Sequence, residues 1–249
     1  MFDPANLKKK AREFESIPLE ELIVWAWETL GPRLAFGTAF GSSGMVLLHV
    51  LQKTVPETPI FTIDTGFLFP ETNELIARVE KSYGISIERL KPRLSVEGQA
   101  ELHGPSLYER NPDQCCWMRK VEPLQRRLDS LNGWITSLRR DQGPNRENIG
   151  MIEAYQTDSG RSLVKLNPLA NWTRKRVWDY ILENDVPYNP LMDRGFPSVG
   201  CWPCTSAVSN DENERAGRWA NSSKVECGIH TFLPTIESPE EWTEAAAGD

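Results

Sequence analysis

Short apolar runs rich in β-branched and aromatic residues alternate with amphipathic stretches through the first two thirds of the chain, and small polar residues follow each run. No other feature narrows the fold as much, because strands separated by helical stretches have to form a parallel sheet with crossover helices. Residues 1–32 read as a helical lead-in. Leu19, Leu22, Ile23, Trp25 and Ala26 recur at near-helical spacing, and Gly31-Pro32 stops the pattern. Residues 34–40 read as a buried strand, Gly41-Ser42-Ser43-Gly44 as a tight loop and residues 45–52 as a helix. A second strand over 59–63 leads into Asp64-Thr65-Gly66, and residues 71–83 make an amphipathic helix with Leu75, Ile76, Val79 and Tyr83 on one side. Further strands are expected over 85–90, 134–138 and 163–166. The expectation is an α/β fold: a twisted parallel sheet with helices on both faces. Residues 1–205 would form the main α/β domain. Residues 206–249 would form a C-terminal segment, helical over 211–220 and ending in a mobile tail.

In such sheets ligands sit beyond the carboxyl ends of the strands. Three polar stretches fall there: Gly41–Gly44, Asp64–Gly66 and Arg139–Arg146. The chain carries 28 Lys and Arg against 35 Asp and Glu, a net charge of −7, which argues against a general nucleic-acid binder. No apolar run approaches the ~20 residues that span a bilayer, so no membrane partner is expected. The charged start of the sequence has no apolar signal region, which points to the cytoplasm, where thiols stay reduced. A homo-oligomer is compatible with everything read so far.

The five cysteines carry the strongest chemical signal. Cys115 and Cys116 are adjacent, and Cys201-Trp202-Pro203-Cys204 is a C-x-x-C pair. Two such pairs from distant segments can close a four-thiolate centre, either tetrahedral zinc or an iron–sulfur cubane; spacing alone does not choose between them. The fifth, Cys227, lies in Lys224-Val225-Glu226-Cys227-Gly228-Ile229-His230, where Gly228 lets the backbone expose the sulfur and Lys224 and His230 favour a thiolate. The Gly41–Gly44 loop follows a strand and precedes a helix, so its backbone N–H groups suit an anion. It is neither a Walker loop nor the S-G-G-x-D-S loop of ATP pyrophosphatases. Arg119-Lys120, Arg139-Arg140, Arg146, Arg215 and Arg218 adjoin strand ends or the cysteine pair, and arginine forks bind phosphate or sulfate in bidentate fashion. Trp172, Trp178 and His49 read as packing residues.

Several stretches together resemble one family. They are Ile63-Asp64-Thr65-Gly66 with Pro70-Glu71-Thr72, Cys115-Cys116-Trp117-Met118-Arg119-Lys120, Leu138-Arg139-Arg140-Asp141, Gly200-Cys201-Trp202-Pro203-Cys204-Thr205, Gly217-Arg218-Trp219 and Glu226-Cys227-Gly228-Ile229-His230. The chain is similar to the assimilatory adenylyl-sulfate reductases of the phosphoadenylyl-sulfate reductase family, from about Leu34 to His230. The resemblance implies an adenine-nucleotide α-hydrolase-like sheet and a 4Fe–4S cluster held by Cys115, Cys116, Cys201 and Cys204. It implies Cys227 as the nucleophile on a mobile tail. The substrate would be adenosine 5′-phosphosulfate, reduced to sulfite and AMP with thioredoxin as the thiol donor in sulfate assimilation and cysteine biosynthesis. The 3′-phosphorylated nucleotide, with the same chemistry, is the alternative. Lys120, Arg146, Arg215, Arg218 and His230 match positions around the phosphosulfate, while Gly41, Ser42, Ser43, Asp64, Thr65 and Gly66 match the nucleotide-binding region.

Overall fold

Six strands form one sheet in the order β3-β2-β1-β4-β6-β5 in the computed structural model, which describes residues 4–208, 213–220, 224, 226 and 228–230. They are β1 (Leu34–Gly37), β2 (Ile60–Ile63), β3 (Ile87–Leu90), β4 (Gly133–Ile135), β5 (Ile152–Gln156) and β6 (Ser162–Leu166). β1 pairs in parallel with β2 and β4, β2 with β3, and β4 with β6. β5 closes one edge antiparallel to β6, with Ala154 opposite Val164. The helices are α1 (Pro4–Glu13), α2 (Leu19–Leu30), α3 (Ser42–Thr54), α4 (Pro70–Tyr83), α5 (Val96–His103), α6 (Leu107–Arg110), α7 (Pro112–Cys116), α8 (Glu122–Leu128) and α9 (Arg174–Glu183).

Both faces of the sheet are covered. Leu34 and Phe36 of β1 and Ile135 of β4 pack with α2, α3, α4 and α9 in one apolar cluster. Ala35 and Trp134, the intervening residues, pack with Leu124 and Leu128 of α8 in another. This period of two along central strands buried on both sides explains their continuous apolar runs. α3 is apolar almost all round, with Met45, Val46, Leu47, Leu48, Val50 and Leu51 buried, because it lies between the sheet and other helices. His49 on α3 bonds the Tyr83 hydroxyl at 3.0 Å and packs against Tyr180, a structural role as expected.

The differences from expectation have local causes. A sixth strand, β5, adds an antiparallel edge to a sheet expected to be wholly parallel. The run over 34–40 yields only four strand residues, because the chain turns out of the sheet at Thr38: its hydroxyl accepts the Phe40 N–H at 3.0 Å, and Phe40 takes a left-handed φ of 58°. The helix after the Gly41 turn begins at Ser42 rather than Met45. Residues 213–220 form turns instead of the expected helix, with Arg218 in an antiparallel bridge to Thr205. Among the described residues, no helix is long and apolar enough to cross a membrane.

Candidate active site

The chain winds from β1 outward through β2 and β3, then resumes on the other side of β1 with β4. A crevice therefore opens beyond the carboxyl ends of β1 and β4, where the winding reverses. A cleft lies there, partly open to solvent. One wall is the amino-terminal turn of α3 with Gly41, Ser42, Ser43 and Gly44; Thr65 and the β4 exit residues Thr136 and Ser137 add others. The N–H groups of a helix start favour a negative group. Being helical from Ser42, the Gly41–Gly44 stretch presents such a helix start to the cleft.

Cations form the opposite wall. Lys120, Arg146, Arg215 and Arg218 all line the cleft, with His230 beside them. Arg146 grips both Glu226 carboxylate oxygens at 3.0 Å, and its remaining amino group donates to Gln142 at 2.6 Å. Arg215 donates to the same Glu226 at 3.0 Å. His230 stacks on Trp134, with 5.3 Å between centroids, and its Nδ1 is enclosed without a hydrogen-bond partner. Burial first, then Lys165, Arg146 and Arg215, hold its pKa well below the usual imidazole value, so the ring is neutral. Arg139 is fully buried and braces the cleft from outside. It donates to Ser43 of α3, to Asp141 at 2.8 Å and to Glu214 at 2.7 Å, tying the helix start to the arginine turn.

The four paired cysteines meet in an adjoining small pocket, which Cys115, Cys116, Cys201 and Cys204 line together with Lys120 and Arg119. None of the four is in a disulfide. α7 carries the first pair and runs into a π-helical turn, Trp117–Val121, that buries Arg119 and Lys120. Burial pushes the Cys115 thiol up to about 12, and Cys116, Cys201 and Cys204 push in the same direction. Burial and then Cys201 raise Cys204 to about 11, against the pull of Lys120. Polar side chains hold the sulfurs in turn. Cys201 Sγ donates to Thr65 Oγ1 at 3.3 Å, Gln99 Nε2 donates to Cys115 Sγ at 3.9 Å, and Arg119 joins them by donating to Gln99 Oε1 at 2.8 Å and to the Thr65 carbonyl. Among the described residues, no group of three or more His, Cys, Asp or Glu is gathered tightly enough for a single metal ion. The donor set is nonetheless four soft sulfurs around one pocket with cations alongside, and it suits a thiolate-bound metal centre, either zinc or iron–sulfur.

Ten of the candidate residues thus share the cleft: Gly41, Ser42, Ser43, Thr65, Lys120, Arg146, Cys201, Arg215, Arg218 and His230. Asp64 and Gly66 are not among its lining residues; the Asp64 carboxylate accepts the Gly66 N–H at 3.2 Å and shapes the turn that presents Thr65. Cys227 lies outside the described residues. Gln99 and Glu226 were not foreseen as participants; Arg139, expected among the anion-binding arginines, is not among the cleft's lining residues. Gln99 sits in a polar helix with no signal of its own, whereas Glu226 could have been suspected from its place between Lys224 and the cysteine.

Residues 33–207 match the phosphoadenosine phosphosulfate reductase domain family. The chain is 43% identical over 238 residues to the adenosine 5′-phosphosulfate reductase of Salinibacter ruber, covering 95% of this chain and 91% of that one. It is 44% identical over 231 residues to the phosphoadenosine 5′-phosphosulfate reductase of Gloeobacter violaceus, covering 92% and 95%. Among solved structures, the phosphoadenylyl-sulfate reductase of Candida auris in its phosphate complex superposes with a TM-score of 0.73 at 34% identity, over 84% of this chain and 98% of that one. The FMN adenylyltransferase of Candida glabrata shares the fold, with a TM-score of 0.56 at 15% identity over 98% and 82%. The match over 33–207 and the identity over nearly the full length agree: the chain belongs to the phosphoadenosine phosphosulfate reductase domain family.

Proposed function

We propose that the protein reduces adenosine 5′-phosphosulfate to sulfite and AMP through a cysteine S-sulfonate on Cys227. The observation that carries this reading is Lys120, which lines both the nucleotide cleft and the four-cysteine pocket. A thiolate approaching a bound anion meets charge repulsion, and Lys120, Arg215 and Arg218 offset it. The Cys227 thiolate attacks the sulfate sulfur, the bond to the bridging oxygen breaks, and AMP leaves with the electron pair. A thiolate of a dithiol donor, reduced thioredoxin, then attacks Cys227 Sγ and expels sulfite. The donor's second thiol resolves the mixed disulfide, so the donor supplies both electrons. His230, neutral beside the cations, lines the cleft as an uncharged ring, and the positive charge there comes from Lys120, Arg146, Arg215 and Arg218.

Cys115, Cys116, Cys201 and Cys204, which line one pocket, would hold a 4Fe–4S cluster, the centre that the family resemblance implies. The cluster would supply a fixed charge distribution beside Lys120. The protein would work in the cytoplasm, where the thiols stay reduced. The residues 206–249 would act as the segment that brings Cys227 to the cleft. A second reading, the 3′-phosphorylated nucleotide as substrate, is favoured by the name of the Gloeobacter relative; competition between the two nucleotides separates them.

The test is to react the protein with sulfur-labelled adenosine 5′-phosphosulfate while withholding thiol. A labelled sulfonate on the peptide containing Cys227, absent in Cys227→Ser, is expected. Label elsewhere, or none, overturns the reading. Iron and sulfide analysis after anaerobic purification tests the cluster separately.

A further inference from the structure

Four cations crowd one indole. The Trp219 ring centroid lies 4.5 Å from the Arg218 guanidinium carbon, 5.9 Å from that of Arg215, and 5.8 Å from both Lys120 Nζ and Lys224 Nζ. Every other ring met by a cation among the described residues meets one. Lys120, Arg215 and Arg218 are also cleft residues, and like charges this close repel. An indole face presents the negative side of its quadrupole and attracts cations that stand over it. Glu226 bonds Arg215, and Asp113 bonds Lys224.

The ring is held in place from behind. Trp219 is 5% exposed and takes a φ of 53°, a region disfavoured for a bulky side chain, so its surroundings impose it. Its backbone N–H donates to the Cys204 carbonyl at 3.0 Å, and the Ser206 N–H donates to the Gly217 carbonyl at 2.8 Å. The approach is close enough to require glycine at 217, where a Cβ would collide with the Ser206 backbone carbonyl, and a Cβ on Gly200 would press on the Arg218 guanidinium. The turn that carries Arg215 and Arg218 is therefore fastened to the loop that carries Cys201 and Cys204.

We propose that Trp219 is a positioning residue, whose indole face gathers Lys120, Arg215 and Arg218 into one pre-formed anion receptor and whose backbone registers that receptor against the Cys201–Cys204 loop. The inference deepens the proposed function and rests on it for the identity of the anion. It explains why the two cysteine-proximal segments, one from the π-helical turn and one from residues 213–220, present their cations to a single place.

The test uses the full-length protein, purified anaerobically, in a Cys227→Ser background that blocks turnover. Dissociation constants are measured for three probes: inorganic sulfate, adenosine 5′-phosphosulfate and uncharged adenosine. Trp219→Phe keeps an aromatic face with a weaker quadrupole; Trp219→Leu keeps bulk and loses the face. Phe is expected to weaken both anions about threefold and Leu about thirtyfold, with adenosine unchanged. With Cys227 restored, KM for the nucleotide should rise along the same ladder more than kcat falls. Equal losses for adenosine and the anions, or no loss in Trp219→Leu, overturn the inference. Should Trp219→Leu not fold, the Phe variant and its three probes decide alone. An unaltered chain that binds sulfate but not the nucleotide refutes the substrate reading instead, and the sulfate ladder still tests Trp219.

Discussion

The two pockets that meet at Lys120 are built on opposite principles. The cleft is open and lined by small residues, a helix start and guanidinium groups, so it can exchange one anion for another. Its own Glu226 sits on Arg146 and Arg215. The cysteine pocket is small, and burial with the neighbouring sulfurs raises the proton affinity of Cys115 and Cys204, so those two thiols ionise only when something positive takes up the charge. On the proposed function, the comparison makes the first a receptor whose occupant would come and go, and the second a permanent joint. The joint holds three chain segments together: Thr65 after β2, Cys116 to Lys120 after α7, and Cys201 to Ser206 against the arginine turn.

If the joint sets the geometry of the receptor, removing it has the largest effect. Cys201→Ser is expected to lose bound iron and at least about 100-fold in sulfite formation, since outer-shell changes alone cost 10–100-fold at metal sites. Iron analysis and turnover on one preparation check it; turnover that survives loss of iron would make the pockets independent. Lys120→Gln comes next. It should lower kcat/KM by about 10²–10³-fold, the scale of one lost charge-stabilising donor, while iron stays bound. Loss of iron in that variant would assign Lys120 to the joint rather than the receptor. Gln99→Leu should speed chelator-driven iron release by about tenfold and leave adenosine binding unchanged, because Gln99 touches Cys115 and Arg119 but not the cleft.

Much of the receptor was legible in the sequence, because its elements follow local rules. Strand–loop–helix alternation put Gly41–Gly44 and Arg146 at strand ends, and the family motifs added Lys120, Arg215 and Arg218. The joint was half legible: the paired cysteines announced it, but Gln99 and Arg119 reach it across 16 and 54 residues of chain through hydrogen bonds that leave no periodic trace. β5 was missed because Ile152–Gln156 buries only Ile152 and Tyr155, and an edge strand with polar residues between carries a weak apolar signal. Turn 213–220 reads as helical from its charges, yet pairing of Arg218 with Thr205 decides its shape, and that is a tertiary contact.

The smallest expected effect concerns pH and the neutral imidazole on the receptor's floor. His230 stacks on Trp134, and its pKa lies well below the 6.5 of a free imidazole, first through burial and then through Lys165, Arg146 and Arg215. Lys165 itself is anchored by Glu153 at 3.2 Å, so its charge stays near the ring. A group that resists protonation when folded adds stability above its unfolded pKa, and that stability drains away as pH falls below about 6.5, where the unfolded chain takes up the proton first. Lowering the pH from about 7.5 to about 5 should therefore reduce the Tm of the unaltered protein more than that of His230→Gln, whose side chain does not titrate. Other groups titrate over the same range, and the difference between the two proteins removes their shared contribution. Parallel pH profiles would mean that His230 meets solvent rather than the cation wall, and the stacking on Trp134 would then be incidental to how the receptor holds its anion.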